Sequence, residues 1–134
     1  MKNRLLRNFV IVSTASFFIF ILWIISLANS GSSNVLFLVN YYSYGDKVGH
    51  FFIYGLLAFG LSIALNFKSL YVGKIKIYLG VLLVFIFAVG EELLQAFYPK
   101  RTMDVYDVLA DVIGLIVFSI LLHFIENRVK EVES

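Results

Sequence analysis

Apolar residues run along this chain in long blocks and not in strict alternation. Phe9 to Ala28 contains no charged residue. Val48 to Leu65 carries His50 as its one group that changes charge near neutral pH. A third block is uncharged from Ile77 to Gly90, then continues through Glu91, Glu92 and Gln95 to Tyr98. A fourth starts near Met103, carries Asp104, Asp107 and Asp111, and is uncharged from Val112 to Leu122. Crossing a hydrocarbon core of ~30 Å takes ~20 mostly apolar helical residues at ~1.5 Å each. In lipid only helices and closed barrels satisfy their own backbones. These blocks lack strand alternation, and a barrel needs at least ~8 strands. The pattern predicts an all-α membrane protein with four transmembrane helices in one bundle, a single domain over residues 1–134.

The connections add detail. Asn29 to Asn34 reads Asn-Ser-Gly-Ser-Ser-Asn, a flexible linker. Val35 to Gly45 is apolar and rich in tyrosine (Tyr41, Tyr42, Tyr44), which predicts a segment lying at the membrane interface. Pro99, the only proline, follows the third block, where a helix can end. Lys2, Arg4 and Arg7 resemble the basic start of a signal peptide. However, the apolar run behind them has 20 residues, whereas signal cores have ~7–15, so the first block is expected to be a retained span.

Composition sharpens this picture. Of 134 residues, 60% are hydrophobic and 15% charged. Soluble domains are ~45–50% apolar and ~25% charged, and a chain this small could not hide the excess. A soluble enzyme and a disordered tail are excluded. With no cysteine, disulfides, thiol catalysis and thiolate metal sites are excluded too. A net charge of +2, with dispersed cations, excludes a nucleic-acid partner. Lys2, Arg4, Arg7, Lys68, Lys74, Lys76, Arg128 and Lys130 gather on one side of the expected bundle; Lys47, Lys100 and Arg101 gather on the other. By the bias of cytoplasmic loops towards Lys and Arg, both termini are expected to be cytoplasmic.

The acids are unevenly placed. Glu126, Glu131 and Glu133 fall in the expected cytoplasmic tail. The other six (Asp46, Glu91, Glu92, Asp104, Asp107 and Asp111) fall in the outward half. Glu92 lies seven residues before Pro99, and Asp111 lies seven after Asp104. Both are therefore ~10 Å from the outer helix ends and are expected at similar depth. Asp104, Asp107, Asp111 and Gly114 share one helical face, and His50 and Tyr54 share another. Gln95 is three residues from Glu92 and four from Glu91. Acids at membrane depth cost ~2.5–3.5 kcal/mol each and mark functional sites by default. The candidate binding residues are Asp46, Lys47, His50, Tyr54, Glu92, Gln95, Arg101, Asp104, Asp107 and Asp111, with Lys100 beside them. The competing reading is that these charges pair to hold the bundle together, with Asp46 and Asp104 as helix N-caps. Phe17, Phe18, Phe20 and Trp23 read as packing or lipid-facing surface, and His123 as an interfacial histidine.

Three motifs point to a family. Asp46-Lys47-x-x-His50-Phe51-x-x-Tyr54 is the first, and Glu92-x-x-Gln95-x-Phe97-x-Pro99-x-Arg101 the second. Asp104-x-x-Asp107-x-x-Ala110-x-x-x-Gly114 is the third. Together, over about Asp46 to Phe118, they resemble the VanZ-like family of small bacterial membrane proteins. Asp111 departs from the Asn more usual there and makes the expected pocket more acidic. The resemblance implies a link to teicoplanin-type glycopeptide tolerance at the cell envelope.

Two function classes follow. In the first, an outward pocket binds an envelope lipid, a lipid-linked cell-wall precursor or a glycopeptide. Arg101, Lys100 and Lys47 would hold its phosphate or carboxylate, and His50 and the acids its amines or hydroxyls. In the second, an intramembrane hydrolase or transferase acts on a lipid-linked head group. His50, Glu92 and Asp107 would be the catalytic candidates. No cofactor is expected, although a divalent cation such as Mg²⁺ or Ca²⁺ would suit the carboxylates. An ion pathway is disfavoured, because Leu56 to Leu65, Ile77 to Gly90 and Val112 to Leu122 offer few polar groups.

Overall fold

The computed structural model describes residues 4–31, 44–99 and 101–134. The tyrosine-rich interfacial segment, up to Ser43, and Lys2 and Lys100 lie outside the described residues. Four helices are present among them: α1 (Arg4–Asn29), α2 (Gly45–Ala64), α3 (Leu79–Gln95) and α4 (Val105–Glu133). Between α2 and α3 stand two short antiparallel strands, β1 (Ser69–Val72) and β2 (Ile75–Tyr78). Helices α1, α2 and α4 are long and apolar enough to cross a membrane.

The third block differs from its expected extent of Ile77 to Tyr98. At its start, Tyr78 pairs with Ser69 and Ile77 with Leu70, so those residues belong to a strand. At its end, Ala96, Phe97 and Tyr98 donate to carbonyls three residues back, tightening into turns ahead of Pro99. The remaining α3 has 17 residues, ~26 Å of helix, a little short of the hydrocarbon thickness. The loop expected between the second and third blocks is instead a hairpin. Gly73 stands at φ +62° in its tight turn, a conformation glycine adopts without steric cost. The fourth block also differs: α4 begins at Val105 and runs on to Glu133, so Glu126 and Glu131 sit on a helix and not in a tail.

Helix α2 packs against all three others. Its buried Tyr54, Leu57 and Ala58 join Ile21 of α1, Val84 and Ala88 of α3, and Leu115 of α4 in the main core. A smaller core of Phe67, Tyr78 and Leu122 ties the hairpin to α4. Close approach depends on glycine at two crossings. A Cβ on Gly114 of α4 would lie 2.4 Å from the Phe51 carbonyl oxygen of α2, and one on Gly80 of α3 2.5 Å from the Ser62 nitrogen. Short interhelical distances of this kind are how small residues let helices associate without a hydrophobic drive from lipid. The Gly114 crossing lies one turn from Asp111 and beside His50, so it sets the spacing of the polar residues above it.

Candidate polar site at the acidic end of the bundle

The site forms where α2 and α4 begin and α3 ends. Asp104 is the N-cap of α4, and its Oδ1 accepts from the Tyr106 amide at 2.8 Å. Asp46, by contrast, sits in the first turn of α2, whose N-cap is Tyr44. The two helix starts are clamped by Lys47. Its Nζ donates to Asp46 Oδ2 at 2.9 Å, Asp104 Oδ2 at 2.9 Å and Asp107 Oδ1 at 3.0 Å. All three ammonium protons are thereby used. The Lys47 hydrogen bond holds the Asp104 carboxyl below its ordinary range.

One turn further in, His50 Nδ1 lies 2.9 Å from Asp111 Oδ1, and its Nε2 lies 3.8 Å from Asp107 Oδ2. Asp111 is only 1% exposed, and its second oxygen has no hydrogen-bond partner among the described residues. The third group hangs on α3. Gln95 Nε2 donates to Glu91 Oε2 at 2.9 Å and to Glu92 Oε2 at 3.0 Å, an i,i+4 and an i,i+3 contact on one helix. Arg101 NH1 donates to Glu91 Oε1 at 3.1 Å and to Asn29 Oδ1 of α1 at 3.2 Å. The Tyr54 hydroxyl, 3.4 Å from Glu91 Oε2, closes the inner side. Glu92, 1% exposed, accepts from the Asp104 amide with Oε1, joining α3 to the start of α4. Glu92 reaches the turn of Asp104 and Asp107, and Asp111 enters the network through His50.

All ten candidate residues thus belong to one network. Two members lay outside that set. Glu91 holds Arg101, Tyr54 and Gln95 at once; its i,i+4 spacing to Gln95 was the signal that marked it. Asn29, at the start of the expected linker, is the last residue of α1. Beside the network lies an open cavity of about 310 Å³. One wall is apolar, made by Phe20, Ile21, Ile24 and Ile25 of α1. The opposite wall carries Asp46, His50, Tyr54, Glu91, Gln95, Arg101, Asp104 and Asp107. Phe20 and Trp23 on α1 are exposed, whereas Phe17 and Phe18 pack on the core. His123 is exposed, 3.3 Å from Asn127.

The arrangement has two chemical capacities. Six carboxylates face two cations and one imidazole, so the site has an excess of negative charge, and Arg101 and Lys47 are already occupied by acids. Groups with positive charge or hydrogen-bond donors suit it best. Secondly, His50, Glu92 and Asp107, each from a different helix, offer ligand atoms within 4.8 Å of one another; Asp46, Asp104 and Asp107 form a second such group. Their oxygens would suit a hard divalent cation.

No curated protein and no solved structure matches the chain. A family model does, over residues 3–126, from the start of α1 to the buried Glu126 of α4. Together with three helices fit to cross a bilayer and the three motifs gathered into one network, this match makes the chain a membrane protein of the VanZ/LLP1 family.

Proposed function

We propose that the protein is a multi-pass component of the bacterial cytoplasmic membrane that binds the head group of an envelope amphiphile. All four helices span, α3 by local thinning of the bilayer around it, and both termini are cytoplasmic. The acidic cavity then opens at the outer leaflet. The observation that carries the reading is the two-sided cavity: an apolar wall from α1 facing a wall of eight polar side chains, four carboxylates and an arginine with a histidine, a tyrosine and a glutamine. Such a site takes an acyl or prenyl chain on one side and a polar head on the other. The surplus of carboxylate favours a head group bearing an amine or hydroxyls, and a divalent cation at His50, Glu92 and Asp107 would let it accept a phosphate as well. Lipid-linked cell-wall precursors and glycopeptides carry such groups, in keeping with teicoplanin-type tolerance in the family's name-giving member.

The test is binding of purified protein, with and without Mg²⁺, to a polyprenyl-linked precursor and to teicoplanin. Saturable binding that weakens at least ten-fold in Glu92→Gln supports the reading. Absence of binding to every such amphiphile overturns it.

One observation favours a second reading, an intramembrane hydrolase or transferase. His50 is held at Nδ1 by Asp111 while its Nε2 points towards Asp107 in reach of Glu92. A carboxylate that fixes one imidazole nitrogen leaves the other as acid or base. Head-group turnover that is lost in His50→Ala, with helical content intact, would replace binding by catalysis.

A further inference from the structure

The opposite end of the bundle carries a feature that the acidic site does not use. The β1–β2 register pairs Leu70 with Ile77 and Val72 with Ile75, so one face of the hairpin is wholly aliphatic. Leu70, Val72 and Ile75 are 51%, 64% and 66% exposed. The other face is anchored: Lys76 and Tyr78 both donate to the buried Glu126 of α4, Tyr78 at 2.7 Å. Lys130 Nζ lies 2.8 Å from the other oxygen of Glu126. This anchoring consumes Lys76. Lys68 and Lys74 remain exposed at the two ends of β1, with no ion pair among the described residues. No acidic residue occurs between Asp46 and Glu91.

The aliphatic face is continuous with a groove. Ile75 and Ile77 roof an apolar groove of about 660 Å³ between α3 and α4, walled by Leu82, Phe85, Ile116 and Ile120. The hairpin follows directly on the end of α2 and leads into α3, as the Leu79 amide donates to the Lys68 carbonyl at 2.8 Å. An aliphatic sheet face at the end of two membrane-crossing elements is at the depth where acyl chains meet head groups. Lysines there keep their stems in the apolar layer and their ammonium groups at the phosphates.

We propose that the hairpin and the α3–α4 groove together form a site for an anionic phospholipid of the leaflet at this end. An acyl chain occupies the groove beneath Ile75 and Ile77, and Lys68 and Lys74 hold the phosphate. The site is independent of the acidic cavity and of what that cavity binds.

The chain has no cysteine, so single labels can be placed freely. Native mass spectrometry of the purified full chain, challenged with phosphatidylglycerol or phosphatidylcholine, reads the head-group preference. Wild type retains phosphatidylglycerol over phosphatidylcholine. A lysine near an anionic surface is worth about a five-fold change, so Lys68→Gln with Lys74→Gln lowers phosphatidylglycerol retention roughly 25-fold and leaves phosphatidylcholine unchanged. Equal retention by the double variant overturns the proposal. Nitroxides at Val72→Cys and Ile75→Cys in phosphatidylglycerol-containing nanodiscs read the depth. Greater relaxation by oxygen than by a water-soluble nickel chelate is expected. The reverse order, or dipolar coupling between labels on two copies, overturns it.

Discussion

Replacing Gly114 by alanine tests whether the α2–α4 crossing sets the geometry of the acidic site. The added methyl would stand 2.4 Å from the Phe51 carbonyl oxygen and 3.1 Å from its Cα. Ordinary contact begins at 3.4 Å, so the helices must part by about 1 Å at this level. The obstacle is backbone, which no rotamer change can relieve. His50 precedes Phe51 and Asp111 lies one turn from Gly114, so a 1 Å separation would stretch their 2.9 Å contact beyond hydrogen-bond range. Overpacking of this kind costs about 1–3 kcal/mol, offset by up to ~1 kcal/mol because alanine is the better helix former. The expected net loss is about 1–2 kcal/mol. Gly90→Ala is the matched control, because a Cβ there meets nothing within 4 Å and should be neutral or mildly stabilising. Thermal unfolding in detergent, followed by helical circular dichroism, measures both variants. The ¹⁵N spectrum of His50 reports separately on its contact with Asp111. If Gly114→Ala melts with or above Gly90→Ala and leaves the His50 signals unmoved, the crossing is looser than argued.

Three further outcomes follow from single groups. Asp104 is held below its ordinary range by Lys47, so its contribution is present above the unfolded value and lost as pH falls through the lower folded one. Thermal melts taken from pH 7 down to pH 3 should fall on the acid side, and Lys47→Met should flatten that limb while lowering stability at pH 7. In Asp111→Asn, the amide oxygen can still accept from His50, and one unpartnered buried oxygen becomes an amide donor. The unfolding free energy should therefore stay within about 1 kcal/mol of wild type, and a loss above about 3 kcal/mol would show that the charge of Asp111 is structural. Glu126→Gln leaves Lys76 and Lys130 facing each other without a counter-charge. Amide hydrogen exchange in Ser69–Tyr78 should accelerate at least ten-fold, while exchange in α2 stays as it was.

The sequence was legible where composition and period agree. Runs such as Phe9 to Ala28 have one physical solution in lipid, and α1, α2 and α4 follow it. The site was legible because charge is scarce in such a chain: six acids clustered at one end of the bundle had to find Lys47, Arg101 and His50 or remain costly. The hairpin was less so. Ile77 and Tyr78 are as apolar as the helix they precede, and hydropathy alone cannot separate a strand from a helix over such a length. Gly73 between Val72 and Lys74-Ile75 is the local turn signal, outweighed by the longer apolar block. Glu126 shows a different limit. In sequence it sits among tail charges, and only the folding of Lys76 and Tyr78 onto α4 makes it a buried anchor.

These two charged ends bear on what the protein can transport. Asp111 and Glu126 are fifteen residues apart on α4, a separation of ~22 Å along the helix. Between these levels the bundle interior is lined by Leu57, Ala58, Val84, Ala88, Leu115 and Leu122. Among the described residues the interior polar groups at this depth are hydroxyls: Ser119 donates to its own helix at the Leu115 carbonyl, Ser62 is buried at the Gly80 crossing, and Thr14 of α1 stands against Gly60 of α2. Inside the bundle a proton or cation leaving His50 would meet no titratable side chain among the described residues before Glu126, which is already held by two lysines and a tyrosine; His123, near that end of α4, is exposed. The geometry therefore favours a cavity that is closed at its inner end, suited to holding a ligand and not to conducting an ion. Vesicles reconstituted with the protein should leak protons no faster than empty ones under an imposed gradient. A flux abolished by His50→Ala would require a path through the apolar layer that this packing does not provide.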